Sequence, residues 1–374
     1  MNMTRKQRFI DTLEGKATDK IPVFDFLSSK KLFEHITGCV PTDYLASDIM
    51  KATIALNLDA AFIPYGGFAG YSLELPENLK NKKMRDDQYM DEWGTVYQSS
   101  GVSWPADAPV GFPVATRKDL DGFRVPDAHA PGRLDGVIEA IAMNEDHQAA
   151  ILGGVNGPFT SAMLAMGLTN MSYSVEDDPE LIPELMRKVN GFLIPAAEIM
   201  IKAGVDGIFI ADDLGYKNTC FFRPDYMRKH ILPEIERLAR RVKELGSYAL
   251  LHSCGNVDAL LPDLVEMSLD AIHPIQQTAG MDLKEVKRDY GDKICIIGNV
   301  DSTNILPNGT VEDVKAATLE CMKTGGKGGR FVLASDSDLR DDMPLENMLC
   351  MIETALNNND FAQYNHVVLG WKKT

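Results

Sequence analysis

The stretch "YALLHSC" (248–254) shows the pattern from which the fold can be predicted. An apolar run of strand length ends in polar side chains, and a glycine turn follows at once. Seven other runs share this form and are separated by helical patterns: "IPVFDF" (21–26), "AAFIPYG" (60–66), "ILGGVNG" (151–157), "GIFIADD" (207–213), "AIHPIQ" (271–276), "CIIGNVD" (295–301) and "RFVLASD" (330–336). Near-continuous apolar strands that alternate with helices are typical of a parallel sheet covered on both faces.

Eight such units in 374 residues favour a closed ring over an open sheet. The glycine-rich fingerprint of an open dinucleotide-binding sheet does not follow the first run. Polar residues gather at the carboxyl ends of many runs, and a barrel brings all of those ends to the face where its active site lies. We therefore predict the α/β class, as a (β/α)8 TIM barrel, with one domain over residues 1–374.

An insertion interrupts the barrel pattern between the second and third strands. About 85 residues separate these two runs, so the insertion spans about 67–150. Within it, "DEWGTVYQSSGVSWP" (91–105) alternates like an antiparallel β-hairpin. We expect this hairpin to lie over the barrel mouth, with Trp93 as a candidate substrate contact. Packing alone is the alternative for each aromatic residue of the hairpin.

Composition excludes two classes of partner. The formal charge is −16, from 54 acidic and 38 basic residues, so the chain lacks the basic surface that nucleic-acid binding needs. No apolar run reaches the roughly 18 residues that a membrane span requires, and no secretory signal pattern opens the sequence. We expect a cytoplasmic protein whose six scattered cysteines are free thiols.

His252 and Cys254 are the candidate metal ligands. Residues at positions i and i+2 of a strand point to the same side, as ligands of one ion must. A histidine and a cysteine at this spacing can hold a metal ion. The alternative is structural, with Cys254 as a small buried apolar side chain and His252 bonded to a backbone carbonyl.

Other strand ends supply further candidates. Asp212 and Asp213 are adjacent, so at most one should face the mouth, as an acid or ligand contact, while the other caps the next helix or pairs with Lys217. Asp336 directly ends the last apolar run and is a second candidate acid. Four more strand-end residues are candidate substrate contacts: Asp25, Asn156, Gln276 and Asn299. His273 falls inside its run and is expected to be a core histidine.

Several motifs, in order along the chain, resemble the uroporphyrinogen decarboxylase superfamily. They are "TRKQRFIDTLEGKATDKIPV", "DEWGTVY", "LHSCGNVDALLPDL", "DAIHPIQ", "IIGNVD" and "FVLASDSDLRDDMPLENMLCMIETAL". Within the superfamily they look closest to the corrinoid-dependent methyltransferases, in the branch of O-demethylase methyltransferases. The resemblance implies a TIM barrel. It leaves three reactions open: decarboxylation of uroporphyrinogen, methyl transfer from a corrinoid to a thiol, and methyl transfer from a donor to a corrinoid.

Two of these reactions require motifs that are incomplete in this chain. True decarboxylases carry an arginine-rich "RQAGRY" segment after the first strand, and this chain has "DFLSSKKLFEH" there, without guanidinium groups to hold a polyanionic substrate. Thiol methyltransferases pair a His-x-Cys motif with a second cysteine after the last strand. Ser337 stands at or near that position, and Asp336 is the nearby carboxylate that can replace it as a ligand.

The demethylating branch shares the "DEWG", "HSCGN" and "SD" motifs, so we expect methyl transfer from a small donor, an aryl methyl ether, to cobalt. Zinc at His252 and Cys254, or an acid such as Asp213 or Asp336, would help the ether oxygen leave. The chain lacks a cobalamin-binding "DxHxxG" segment, so the corrinoid is expected on a partner protein. A non-catalytic relative that binds a ligand is the remaining alternative.

Overall fold

A computed structural model of the chain describes residues 3–68, 70, 71, 73, 75–99, 104–144 and 148–357. The strands are Leu27–Ser28 (β1), Ala60–Pro64 (β2), Lys82–Arg85 (β3), Gln88–Met90 (β4), Val96–Gln98 (β5), Ala108–Gly111 (β6), Ala150–Asn156 (β7), Gly207–Ala211 (β8), Tyr248–His252 (β9), Ala271–His273 (β10), Cys295–Val300 (β11), Phe331–Ser335 (β12) and Leu339–Arg340 (β13).

The α-helices are Arg5–Leu13 (α1), Lys30–Thr37 (α2), Ala46–Ala55 (α3), Arg117–Gly122 (α4), Asp135–Met143 (α5), Pro158–Met166 (α6), Leu168–Asp177 (α7), Leu181–Ala203 (α8), Pro224–Tyr226 (α9), Leu232–Glu244 (α10), Leu261–Leu264 (α11), Leu283–Tyr290 (α12), Ile305–Asn308 (α13), Val311–Gly325 (α14) and Leu345–Asn357 (α15). A π-helical turn, Met227–Ile231, joins α9 to α10. None of the helices in the described part of the chain has both the length and the apolar character needed to cross a bilayer.

The central sheet is parallel, as the sequence predicts. Among the described residues it has seven strands, in the order β12-β11-β10-β9-β8-β7-β2. Apart from the first run, neighbours in the sheet are neighbours in sequence, and helices cover its outer face. This is the arrangement of a TIM barrel.

The first predicted strand, 21–26, is the exception, because it forms no regular strand. Its backbone nevertheless forms hydrogen bonds at both edges of the sheet, with β12 and with the residue before β2. Phe24 N–H donates to the Leu333 carbonyl of β12, and Val23 C=O accepts from Asp59 N–H just before β2. Two features of this segment keep it irregular. Pro22 has no N–H to donate, and the N–H of Val23 donates to the Asp59 carboxylate at 2.8 Å. The segment therefore occupies the eighth position of the ring without a continuous ladder.

Alternation along the strands separates an inner from an outer core. Phe62, Phe209 and Leu250 belong to a cluster inside the ring, whereas their sequence neighbours pack outward under the helices. Because side chains two residues apart share a face, His252 follows Leu250 and His273 follows Ala271 into the interior. The alternation thus aims both imidazoles at the centre of the barrel.

The region between β2 and β7 contains a four-stranded antiparallel sheet in the order β3-β4-β5-β6. Trp93 lies in its β4–β5 turn, where it is 7% exposed and packs edge-on against Phe192 at 5.0 Å. Its indole N–H points to the Gly67 carbonyl at 3.4 Å. Trp93 therefore packs against the barrel helices here, and its role as a substrate contact stays a prediction. Residues 100–103 of the expected hairpin lie outside the described residues, and its position over the mouth stays a prediction.

Candidate metal centre and active site

Two glycine turns bring the ends of β8 and β9 together. A Cβ on Gly255, which has a φ of +80°, would lie 2.2 Å from the carbonyl carbon of Gly215, so only glycine permits this close approach. Asn256 N–H donates to the Tyr216 carbonyl at 2.7 Å, and Cys254 N–H donates to Asp213 Oδ1 at 2.8 Å. The thiol after β9 is thereby held beside the carboxylate after β8.

Asp213, His252 and Cys254 form the candidate metal centre, with one ligand atom from each within 4.8 Å of the others. His252 Nε2 lies 3.4 Å from Asp213 Oδ1 and 3.4 Å from Cys254 Sγ. Tetrahedral zinc, with bonds of ~2.3 Å to sulfur and ~2.0–2.1 Å to nitrogen or oxygen, separates such ligand atoms by about 3.4 Å for N and O and about 3.6 Å for N and S. These three residues therefore fit a zinc ion.

Ser337 lies next to Cys254 at the edge of the cluster. Its Oγ lies 3.9 Å from Cys254 Sγ and donates to Asp338 Oδ1 at 3.1 Å. A neutral hydroxyl is a poor zinc ligand. The centre thus offers one thiolate, one imidazole and one carboxylate, with the Ser337 hydroxyl beside the thiol.

Asp213, His252 and Cys254 shift one another's pKa values. Burial opposes a charge on His252, but Cys254 and the Asp213 carboxylate together raise the pKa of the imidazole well above its usual value. Burial also opposes a charge on Asp213, yet its contact with His252 lowers the pKa of the carboxyl. Burial, followed by the charge of Asp213, raises the pKa of the Cys254 thiol. A cation between these groups would reverse the last effect, since a coordinating thiol is deprotonated.

The carboxylate in this cluster is Asp213 and not Asp336, which corrects the substitution suggested from the sequence. Asp336 is fully buried and accepts from the Ser302 N–H at 2.8 Å, the Ser302 hydroxyl at 2.6 Å and Gln277 N–H at 3.2 Å. These bonds turn its carboxylate into the protein. Asp336 therefore ties together the loops after β10, β11 and β12.

Asp212 points away from the cluster, as expected for one of two adjacent acids. Its oxygens accept from Phe159 N–H at 3.3 Å and Thr160 N–H at 2.6 Å, which caps α6. The capped helix is α6, which follows β7, whereas the helix after β8 was expected. Burial raises the pKa of Asp212 to about 7. Its partners leave it a structural role.

The remaining candidates lie at different depths. Asp25 is buried, and its oxygens accept from Ser335 N–H at 2.7 Å and the Ser335 hydroxyl at 2.8 Å, while burial raises its pKa to about 8. Asn299 is buried and donates to the Ile275 carbonyl at 2.9 Å. Asn156 shares with Trp93 a recess of about 10 Å³, which has room for about one water. Among the candidate substrate contacts in the described residues, only Gln276 lines a cavity beside the cluster.

That cavity has a volume of about 300 Å³ and opens against Asp213 and Cys254. Its other walls include Tyr216, Phe221 and Gln276. Gln276 Oε1 accepts from Gly255 N–H at 2.7 Å, which orients the amide. A cavity of about 430 Å³ elsewhere is lined by residues such as Tyr44 and Arg133 and includes none of the cluster.

His273 is fully buried, as expected of a core histidine, and it also contacts His252 of the candidate centre, which the sequence did not predict. Its run ends as a strand at His273 itself, so the residue lies at a strand end, directly opposite His252 in the register. The two rings stack with centroids 5.0 Å apart, and their Nδ1 atoms are separated by 2.8 Å. Burial and the neighbouring His252 lower the pKa of His273 well below its usual value. The available signal was that two successive strands both end in histidine.

The ring of parallel strands and the centre at its strand ends define a TIM-barrel protein with a candidate metal site. The chain belongs to the uroporphyrinogen decarboxylase (URO-D) family, whose model matches residues 101–357. It is 26% identical to the methylcobamide:CoM methyltransferase MtaA of Methanosarcina barkeri over 93% of this chain and 96% of the relative. It is 23% identical to the uroporphyrinogen decarboxylase of Coxiella burnetii over 66% of this chain and 68% of that one.

A solved structure supports the fold. A methyltransferase from Methanosarcina mazei superimposes with a TM-score of 0.72 at 24% identity, and the match covers 95% of this chain and 99% of the other. The predicted TIM-barrel class and the resemblance to this family and its corrinoid-dependent methyltransferases are thereby confirmed.

Proposed function

We propose that this protein transfers a methyl group from a small methylated donor, an aryl methyl ether, to the cobalt of a corrinoid carried by a separate protein. The observation that carries the proposal is the cluster of Asp213, His252 and Cys254 beside a cavity, with Ser337 where the resemblance puts a second cysteine. The whole-length similarity to a methylcobamide methyltransferase supports the corrinoid as the methyl carrier.

The donor set favours an oxygen leaving group. His252, Cys254 and Asp213 would hold the zinc ion, which when bound supplies a Lewis acid for negative charge on oxygen or sulfur. A second thiolate would donate more electron density and suit activation of a thiol. With one thiolate and one carboxylate, the centre retains more Lewis acidity. An ether oxygen needs that help as the methyl–oxygen bond breaks and the oxygen keeps the electron pair.

The cavity suits a small donor. Its volume of about 300 Å³ is at the low end of the ~300–1,000 Å³ typical of small-molecule sites. Tyr216 and Phe221 offer aromatic surfaces, with ring centroids 5.6 Å apart. The Gln276 amide offers hydrogen-bond donors on the same wall. These residues would bind and orient an aromatic ring with its oxygen substituent toward Asp213 and Cys254.

The test is incubation of zinc-loaded protein with a reduced corrinoid protein and a panel of methyl donors while the cobalt spectrum is recorded. Methylation of cobalt by aryl methyl ethers is the expected result, and His252→Ala should abolish it. Failure of every ether, with carbon dioxide release from uroporphyrinogen, would instead assign a decarboxylase.

A second candidate is transfer from a methylated corrinoid to a thiol. The observation that favours it is the similarity to a methylcobamide:CoM methyltransferase over 93% of this chain, together with the retained His252 and Cys254 pair. The same spectra separate the two candidates. Loss of the methyl–cobalt band on addition of a thiol, without any reaction of ethers, would select this second candidate.

A further inference from the structure

The contact between His252 and His273 restricts where protons can lie. Their Nδ1 atoms are 2.8 Å apart, a hydrogen-bond distance that needs a proton on one nitrogen and a lone pair on the other. A neutral imidazole carries only one N–H. The ring that donates from Nδ1 therefore has a lone pair on Nε2, and the ring that accepts at Nδ1 carries its proton on Nε2.

The far side of His252 decides the choice. Its Nε2 faces Asp213 and Cys254, so a metal ligand there needs its lone pair on Nε2. The single proton of His252 must then be on Nδ1 and be donated to Nδ1 of His273. His273 accepts at Nδ1 and carries its own proton on Nε2.

We propose that His273 is a positioning residue of the metal centre, a neutral hydrogen-bond acceptor that holds His252 in the tautomer and ring plane needed for coordination through Nε2. This inference rests on the proposed function, because it requires a metal at Asp213, His252 and Cys254. It extends that function to a residue outside the cluster.

The surroundings of His273 oppose a purely structural role. The residue is fully buried, with the Phe26 and Phe209 rings edge-on at 5.2 and 6.1 Å. An apolar side chain would fill this position without the cost of burying a polar ring. The bond to His252 explains why a polar ring is present here.

A neutral acceptor also suits the charge of the centre. Metal-bound histidines usually donate to a carboxylate, a backbone carbonyl or water. Asp213 and Cys254 together carry two negative charges when they are ligands, which balance a divalent ion. A further carboxylate behind His252 would add a buried negative charge, whereas an imidazole accepts the hydrogen bond without adding one.

The first experiment compares zinc affinity by chelator competition in wild type, His273→Phe, His273→Asn and Phe209→Leu. His273→Phe keeps a ring but removes the acceptor, so affinity should fall about 10- to 100-fold, as for other partners of metal-bound histidines. His273→Asn places Oδ1 near the former Nδ1 and should restore most of the loss. Phe209→Leu perturbs the same core without touching the hydrogen bond, so its affinity should equal that of wild type.

The second experiment needs no variant and applies even if His273→Phe does not fold. Nitrogen NMR of histidine-labelled, zinc-loaded wild type should show His252 protonated on Nδ1 and His273 protonated on Nε2. The reverse tautomer at His273, or wild-type affinity in folded His273→Phe, would overturn the inference alone. Absence of zinc binding by the wild type would overturn the proposed metal centre and this inference with it.

Discussion

Replacement of Ser337 by cysteine tests the metal centre most directly, because the structure places this side chain beside the Cys254 thiol. Ser337 Oγ is 3.9 Å from Cys254 Sγ, and two sulfurs bound to one tetrahedral zinc at ~2.3 Å are separated by about 3.8 Å. We therefore expect a thiol at position 337 to be able to share an ion with Cys254. The hydrogen bond lost is the one to Asp338, which keeps its ion pair with Arg340 at 2.8 Å.

The expected magnitude follows from the change of donor. A hydroxyl contributes little to zinc binding near neutral pH, whereas a thiolate is a full ligand. We expect Ser337→Cys to tighten zinc binding at least tenfold, which is about 1.4 kcal/mol of binding free energy. Chelator competition at fixed pH measures this change, and thermal unfolding with excess zinc provides a second readout because a tighter ligand raises the midpoint.

Ser337→Ala is the matched control, because it removes the hydroxyl without adding a ligand and should leave the affinity unchanged. The same reasoning predicts slower methyl transfer from ethers in Ser337→Cys, since a second thiolate reduces Lewis acidity. Equal zinc affinities in the cysteine and alanine variants would refute the geometry of the centre. Tighter binding with faster ether demethylation would refute the argument about the leaving group.

Three other changes probe the surroundings of the centre. The pKa of Asp25 is about 8 in the folded protein and about 3.9 in the unfolded chain. The contribution of Asp25 to the free energy of unfolding is therefore complete at low pH and is lost as the pH rises toward 8. The loss reaches up to ~1.4 kcal/mol per pH unit. Asp25→Asn should remove that slope from urea unfolding free energies measured between pH 6 and pH 8, and equal slopes in both proteins would contradict it. Asp212→Ala removes the cap on α6 and should lower the free energy of unfolding by about 1–2 kcal/mol, whereas an unchanged urea midpoint would show that the cap is dispensable. Gln276→Ala should raise the KM of the donor about 3- to 10-fold at unchanged zinc content, since one hydrogen bond contributes ~0.5–1.5 kcal/mol. A change in kcat without a change in KM would show that Gln276 does not bind the donor.

Local patterns in the sequence were enough to predict the barrel and the pair at the end of β9. Apolar runs of strand length, separated by helices, leave few alternatives to a parallel sheet. The i, i+2 spacing puts His252 and Cys254 on one side whatever surrounds them. Both inferences depend on residues close together in the chain. For the same reason, the sequence could predict that only one of Asp212 and Asp213 would face the mouth.

Contacts between distant segments were decided by the tertiary structure alone. Asp213 and Asp336 both end apolar runs. The packing of the surrounding loops places Asp213 beside His252 and Cys254, whereas Asp336 is hydrogen-bonded to Ser302. His273 becomes a partner of His252 because the register aligns two strands whose residues are 21 apart in sequence. Spacing along one strand determines which side a residue takes, but a hydrogen bond between strands depends on register and depth, which the whole barrel sets.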